Sequence, residues 1–332
     1  MSEAPLSPPW FEGGRPVLIT GGRGFLGSHI ALRLASLAPP GAEVIAVDNH
    51  HRDCFAALGV PAPANLRFVT GDIRRPGSWL SAFDSPSVVV HCAALAGVST
   101  YYKAPADVLE VNGLGTARLL EALLPDPPAL FINLSTSEVY GRDAAGADEA
   151  GPTPVGPVSD PRWTYAASKI FAEHLVLSYS KMGRLNAVSL RPFNVYGPGQ
   201  MGEGAIRNFS EAAVRGLPLQ VTGDGSPTRS WIYVADFVDA VFALAATPSA
   251  WGCSYNVGNA ATSVSTRVLA EAILAAAGSS AGIEFVPHPG TDVRTRWPRT
   301  DALREATGWS AAVPLEEGLR RTVGFWEEQT RD

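Results

Sequence analysis

Residues 16–30 read PVLITGGRGFLGSHI, an apolar run of strand character that halts at a glycine cluster and resumes with helical character. Gly21, Gly24 and Gly27 recur every third residue across that junction. Such spacing lets the backbone turn tightly, approach a pyrophosphate and pack the new helix on the sheet, its N-terminus aimed at the anion. A glycine cluster alone is a weak signal. Here Asp48 closes the next apolar run, VIAVD, at about the 20-residue distance of dinucleotide-binding units. An acid there accepts from a ribose hydroxyl pair and repels a 2′-phosphate, so the stretch reads as an NAD site. Phe25 and Leu26 lie within the glycine turn and Asn49 follows the acid, and all three join the cofactor set.

Outward from that turn, the runs PVLIT, AEVIAVD, LRFVTGD, SVVVHCAA, ALFINLS and NAVSLRP alternate with longer segments of helical period. Several carry no polar alternation, as expected of parallel strands covered on both faces. The order predicts an α/β fold, a Rossmann-type doubly wound parallel sheet over residues 16–191, preceded by a flexible leader at 1–15. Beyond residue 191 the pattern loosens into short strands, LPLQVTG and CSYNVGN, and helices near 204–216, 235–246, 265–277 and 314–330. These predict a smaller, partly discontinuous substrate lobe over 192–332, some segments of which return to the main sheet. The Gly- and Pro-rich segment 143–161 reads as an ordered or semi-ordered loop. Asp72 and Ile73 after the third strand, and Cys92, Ala93 and Ala94 after the fourth, border the cofactor, and Asn112 is assigned to it.

Composition narrows the function classes. With 332 residues, 46% of them hydrophobic, the chain can bury a large core without disulfide or metal support. A net charge of -6 supplies no basic field for nucleic acid. No apolar run reaches the roughly 20 residues of a membrane span, and the N-terminal stretch lacks the order of a signal peptide, so a cytoplasmic location is expected. Cys54, Cys92 and Cys253 are odd in number and widely spaced, and the histidines show no ligand spacing, which argues against a disulfide framework or a metal.

Chemistry gathers at STSEVYG, residues 135–141, and at YAASK, residues 165–169. Tyr165 and Lys169 stand four apart and share a helix face. A phenol near pKa 10 is a poor base at neutral pH, and an adjacent ammonium favours its ionised form. With Thr136 to orient the substrate oxygen, the trio suits oxidation of an alcohol as hydride passes to the cofactor. The chain resembles the extended short-chain dehydrogenase/reductases that act on nucleotide sugars. The resemblance rests on GGRGFLG, the acid at 48, GDI at 71–73, HCAAL at 91–95, STSEVYG, YAASK, RPFNVYGPG at 191–199 and GDGSPTRSWIYVAD at 223–236.

That resemblance implies a nucleoside diphosphate sugar as substrate, a UDP-sugar being favoured, a homodimer, and an NAD reduced and reoxidised within one turnover. It places Asn194 near the nicotinamide and sugar diphosphate, Asn208 at the nucleotide, and Arg229 on the diphosphate or an acidic sugar substituent. Tyr165 then takes the C4 hydroxyl proton to give a 4-keto sugar, and Ser137 with Glu138 marks the branch. Thr-Ser-Glu order is similar to UDP-glucuronate decarboxylases, which favours decarboxylation to a UDP-4-keto-pentose or UDP-xylose, with Arg229 and Ser137 holding the carboxylate. A 4,6-dehydratase and a 4-epimerase remain alternatives, and a non-catalytic dinucleotide-binding protein is a remote one.

Overall fold

The computed structural model describes residues 9–287, Gly290 and residues 293–331. Seven parallel strands form the central sheet in the order Ser254–Val257, Ala187–Pro192, Leu130–Leu134, Val88–His91, Val17–Thr20, Val44–Asp48 and Leu66–Thr70. The strand order reverses beside Val17–Thr20, so a crevice opens beyond the carboxyl ends of that strand and Val88–His91. The central strands are buried along their whole length. Successive side chains enter opposite layers: Val17 and Ile19 join one core, Leu18 the other.

One layer is built by Phe25–Leu37 and Val234–Ala245, which press Ile30, Leu34, Phe237 and Val241 onto the sheet. The other is built by Thr116–Leu123 and Thr164–Lys181, through Leu119, Leu120 and Val176. Each fully buried aliphatic side chain contributes roughly 1.5–3 kcal/mol relative to exposure. A third core, around Phe209, Leu219, Leu269, Ile273 and Leu319, belongs to the second half of the chain.

Two expectations are revised, on the leader and on segment 143–161, and the segments that return to the main sheet are identified. Trp10 and Phe11, read as part of a flexible leader, are buried, and Trp10 packs on Phe242 with ring centroids 5.1 Å apart. Residues 1–8 of that leader lie outside the described residues. The run CSYNVGN and the helix Val234–Ala245, grouped with the smaller lobe, build on the main sheet, because their buried faces match its open edge and uncovered face. The segment 143–161 is also more than a loop. Asp143–Ala147 is an edge strand of a sheet ordered Val264–Ser265, Thr228–Arg229, Thr295–Pro298 and Asp143–Ala147. Gly141 turns the chain into that strand with φ 72°, and a Cβ there would lie 2.8 Å from Pro154 O. This pairing brings Thr295–Pro298 against the end of STSEVYG. Among the described residues no helix is long and apolar enough to cross a membrane.

Candidate active site

A cleft of about 310 Å³ runs along the carboxyl ends of the central strands. Gly21, Gly24, Phe25, Leu26 and Gly27 form its floor, Asp48 and Asn49 one end, and Asp72, Ile73, Cys92, Ala93 and Ala94 its walls. Thr136, Tyr165 and Lys169 line the same cleft. The glycine turn leaves no room for side chains: a Cβ on Gly21 would stand 2.7 Å from Ala93, and one on Gly27 would stand 2.2 Å from Gly21 O. Asp48 is fixed through both oxygens, Oδ2 accepting Arg23 N–H at 3.0 Å and Oδ1 accepting His50 N–H at 2.8 Å. A bare glycine cradle, a fixed acid at one end and a Tyr-Lys pair at the other match the pyrophosphate, ribose and nicotinamide of NAD.

Asn112 does not line the cleft. It is buried behind the wall, where Oδ1 accepts Leu95 N–H at 2.7 Å and Nδ2 donates to Leu95 O and Ser168 Oγ. Ser168 Oγ donates in turn to Tyr165 O. Asn112 therefore braces the cofactor wall against the Tyr165 helix.

At the catalytic end, Thr136 caps the turn Ser137–Tyr140, its Oγ1 accepting Glu138 N–H at 3.2 Å. The same hydroxyl faces the Tyr165 phenol and favours its ionised form. Burial pushes the phenol pKa up, the Glu138 carboxylate pushes it further, and only the Thr136 hydroxyl opposes them. The relief expected from Lys169 is not among the influences on the phenol in the protein alone, and its ammonium donates to Leu134 O at 2.7 Å. Burial lowers Lys169 to about 8, against the pull of Cys92 and Glu173. Glu173, one turn on, accepts from Ser135 Oγ, Ser254 Oγ and Arg191, whose Nη2 is 2.7 Å away, and so pins the strand end that carries Thr136.

Beside this relay lies a cluster that sequence reading missed. Glu138 Oε1 accepts Arg296 Nη1–H at 2.5 Å, and Oε2 stands 2.7 Å from Arg162 Nη2. Burial alone would raise the Glu138 pKa, but Arg296 and Arg162 bring it down to about 2. Arg162 lies against Tyr101, 5.8 Å from its ring centroid, and Tyr101 stacks on Tyr165 at 5.0 Å. The two guanidiniums and one carboxylate leave one net positive charge a single ring from the phenol. Arg162 lies two positions before TYAASK and sits in a turn, Pro161–Trp163, capped by Asp160. Arg296 is 158 residues from Glu138 in sequence, and no periodicity could have paired them.

The remaining assignments fall elsewhere. Ser137 and Glu138 stand behind Thr136 and do not line the cleft, nor do Asn194, Asn208 and Arg229. Asn194, held in the left-handed region at φ 40°, donates Nδ2–H to Ser230 O at 2.8 Å. Asn208 Oδ1 accepts from neighbouring Arg207 on the helix Ala205–Val214. Arg229, expected to hold the substrate carboxylate, turns its Nη1 to Thr228 O and Arg294 O on its own sheet. The cations at Glu138 are Arg162 and Arg296 instead, because register with Thr295–Pro298 puts Arg296 at that spot. Among the described residues no group of three or more His, Cys, Asp or Glu could hold a metal.

Residues 17–258 match the model of the NAD dependent epimerase/dehydratase family. The chain is 33% identical to a UDP-N-acetyl-alpha-D-glucosaminuronate decarboxylase of Bacillus cytotoxicus, covering 95% of this chain and 98% of that protein. It is also 33% identical to a UDP-glucose 4-epimerase of Mycolicibacterium smegmatis, covering 95% and 99%. Among solved structures it resembles DesIV, a dTDP-glucose 4,6-dehydratase of Streptomyces venezuelae with NAD and TYD bound, at TM-score 0.85 and 28% identity over 95% of this chain and 98% of that one.

Proposed function

The chain belongs to the NAD dependent epimerase/dehydratase family, and from that premise we propose that it oxidises C4 of a UDP-uronate, with UDP-glucuronate as the leading substrate, and then decarboxylates it. NAD-dependent modification of a nucleotide sugar is the activity its relatives share. The observation that carries the finer reading is the pair of buried guanidiniums against the single carboxylate of Glu138, next to the Tyr165 phenol. A neutral hexose gives that surplus charge nothing to hold. A C6 carboxylate, one carbon beyond C5 of a ring whose C4 meets Tyr165, supplies the missing anion.

In this reading Tyr165 takes the C4 hydroxyl proton, Thr136 holds the C4 oxygen, and Lys169 supports the phenolate as its own charge is returned to the site. Bound NAD supplies the acceptor for the C4 hydride. The 4-ketone makes the C6 carboxylate a β-keto acid, so the C5–C6 bond breaks with its electron pair delocalised to the C4 oxygen. Glu138, kept ionised by two arginines, holds charge rather than donating a proton at neutral pH. A homodimer belongs to the same proposal, and the exposed Leu109, Leu114 and Phe171 support it. The roles of Asn194 and Asn208 toward the nucleotide, and of Arg229 toward the diphosphate, belong to the same proposal. Incubation with NAD and UDP-glucuronate, UDP-glucose, dTDP-glucose or GDP-mannose, followed by product mass, tests it. Loss of carbon dioxide from the uronate supports the reading. Loss of water from a neutral hexose, or an unchanged mass with altered configuration, overturns it.

A further inference from the structure

We infer that Arg162 is the exchangeable ligand of the substrate carboxylate, taken from Glu138 on binding and returned when carbon dioxide leaves; the inference rests on the decarboxylase reading above. The two arginines on Glu138 are not equivalent. Arg296 makes an aligned bond to Oε1 at 2.5 Å and a second, Nη2–H to Gly141 O, at 2.7 Å. It projects from Thr295–Pro298, a strand paired on both sides, and its side chain is 2% exposed. That guanidinium is anchored through both terminal nitrogens, and only its Nε lacks a hydrogen-bond partner among the described residues.

Arg162 is held more loosely. Its Nη2 approaches Oε2 to 2.7 Å, yet Oε2 receives no hydrogen bond, so the contact is an ion pair off the line of an N–H. Its Nη1 is fully buried and has no hydrogen-bond partner among the described residues. Its remaining contacts are ring faces, Tyr101 at 5.8 Å and Trp163 at 5.5 Å, over which a guanidinium can turn without losing bonds. A buried donor left unmet beside a half-made ion pair is costly unless a ligand completes it. The stack of Tyr101 on Tyr165 holds Arg162 one ring from the phenol that meets C4 in this reading.

A planar carboxylate fits the guanidinium fork. With the uronate on Arg162 and Glu138 on Arg296, two cations face two anions and the surplus charge is gone. When the C5–C6 bond breaks, its electron pair passes to C5 and the C4 oxygen as an enolate, and carbon dioxide departs neutral. The negative charge now lies on the enolate oxygen at C4, the carboxylate is gone from Arg162, and the guanidinium returns to Glu138. A proton from water closes C5. Glu138 competes for Arg162 throughout, so releasing the carboxylate's charge costs less than it would from an arginine with no second partner.

The test measures binding to the NAD-loaded protein in a Tyr165→Phe background, where turnover is blocked. Dissociation constants are compared for UDP-glucuronate and UDP-glucose, with Arg162 intact, as Arg162→Gln and as Arg162→Lys. The expected result is a loss of at least tenfold in UDP-glucuronate affinity with Arg162→Gln, a change below twofold for UDP-glucose, and partial recovery with Arg162→Lys. Equal losses for both sugars would show a structural role and overturn the inference. A uronate preference that survives Arg162→Gln overturns the inference alone. No uronate preference in the parent overturns the decarboxylase reading together with it. Should Arg162→Gln fail to fold, Arg162→Lys carries the comparison, and an unchanged ratio there, with normal affinity for both sugars in the Arg162→Met variant, overturns it.

Discussion

Arg296 Nη1 stands 2.5 Å from Glu138 Oε1, joining the strand Thr295–Pro298 to the turn that follows the central strand Leu130–Leu134. The contact ties the second half of the chain to the catalytic turn, and it does so through a buried charge pair. Breaking such a pair by removing one partner costs about 3–5 kcal/mol, because the other charge is left without compensation. The 19% exposure of the Glu138 side chain places the cost at the lower end. Arg162 still faces Glu138 when Arg296 is gone, so Arg296→Met is expected to lose less, about 1–3 kcal/mol in urea unfolding, and Arg296→Met with Glu138→Leu to lose more than the single variant, because Arg162 is then the buried charge without a partner. An unchanged midpoint for the single variant contradicts this.

Acid stability follows from the same pair. Glu138 has a folded pKa of about 2 against an ordinary value of 4.5. A carboxyl with a depressed folded pKa contributes stability that is complete above its unfolded value and is lost as pH falls through the folded one. The contribution is expected to fade between about pH 4.5 and pH 2. Glu138→Gln should flatten the acid limb of a stability-against-pH curve in that window and leave its shape near neutrality unchanged.

Tyr165→Phe removes the proton acceptor while leaving the stack on Tyr101. General acid-base groups contribute typically 10²–10⁴-fold, so turnover should fall by about that factor. NAD affinity should stay within a few fold, as read by tryptophan fluorescence quenching. Turnover that persists would point to a base other than Tyr165.

Gly27→Ala forces a methyl to within 2.2 Å of Gly21 O, at the turn that approaches the pyrophosphate. Overpacking at such a site costs roughly 1–3 kcal/mol. The variant should unfold at lower urea and lose NAD affinity by more than tenfold. Gly324→Ala, inside the helix Leu315–Gln329 at a position with open space, serves as the comparison without that contact.

Asp48→Ser removes the carboxylate that the Arg23 and His50 amides hold in place. Losing charged hydrogen bonds worth about 1.5–3 kcal/mol each should weaken NAD by tenfold or more. It should also narrow the preference for NAD over NADP, because the charge that repels a 2′-phosphate is gone. An unaltered ratio of the two affinities would place 2′ discrimination elsewhere.

Much of the molecule was legible where the signal is local. The glycine turn, the acid at 48, the six strand-like runs and the Tyr165–Lys169 spacing each arise within a few residues, and the sheet brings the glycines, the acid and the Tyr-Lys pair to one cleft. Contacts made at long range were not legible. Arg296 reaches Glu138 only through parallel pairing with Asp143–Ala147, a strand whose sequence, DAAGA, carries little strand propensity. Arg162 is visible only as a charged residue in a turn, and its role emerges from what surrounds it. In TRSW at 228–231 the sequence shows the motif but not that Arg229 Nη1 donates to Thr228 O and Arg294 O of its own sheet. Trp10 and Phe11 sit in a Pro-rich terminal stretch, and only the packing on Phe242 reveals that they are core.

The central claim, that C4 oxidation leads to loss of the C6 carboxylate, is tested most directly with UDP-glucuronate carrying carbon-13 at C6, incubated with the protein and NAD and followed by carbon-13 NMR. The account predicts that the C6 carboxylate signal is replaced by labelled carbon dioxide and bicarbonate while the remaining nucleotide sugar loses the label. Retention of the label in the nucleotide sugar, with the configuration at C4 inverted, would contradict it.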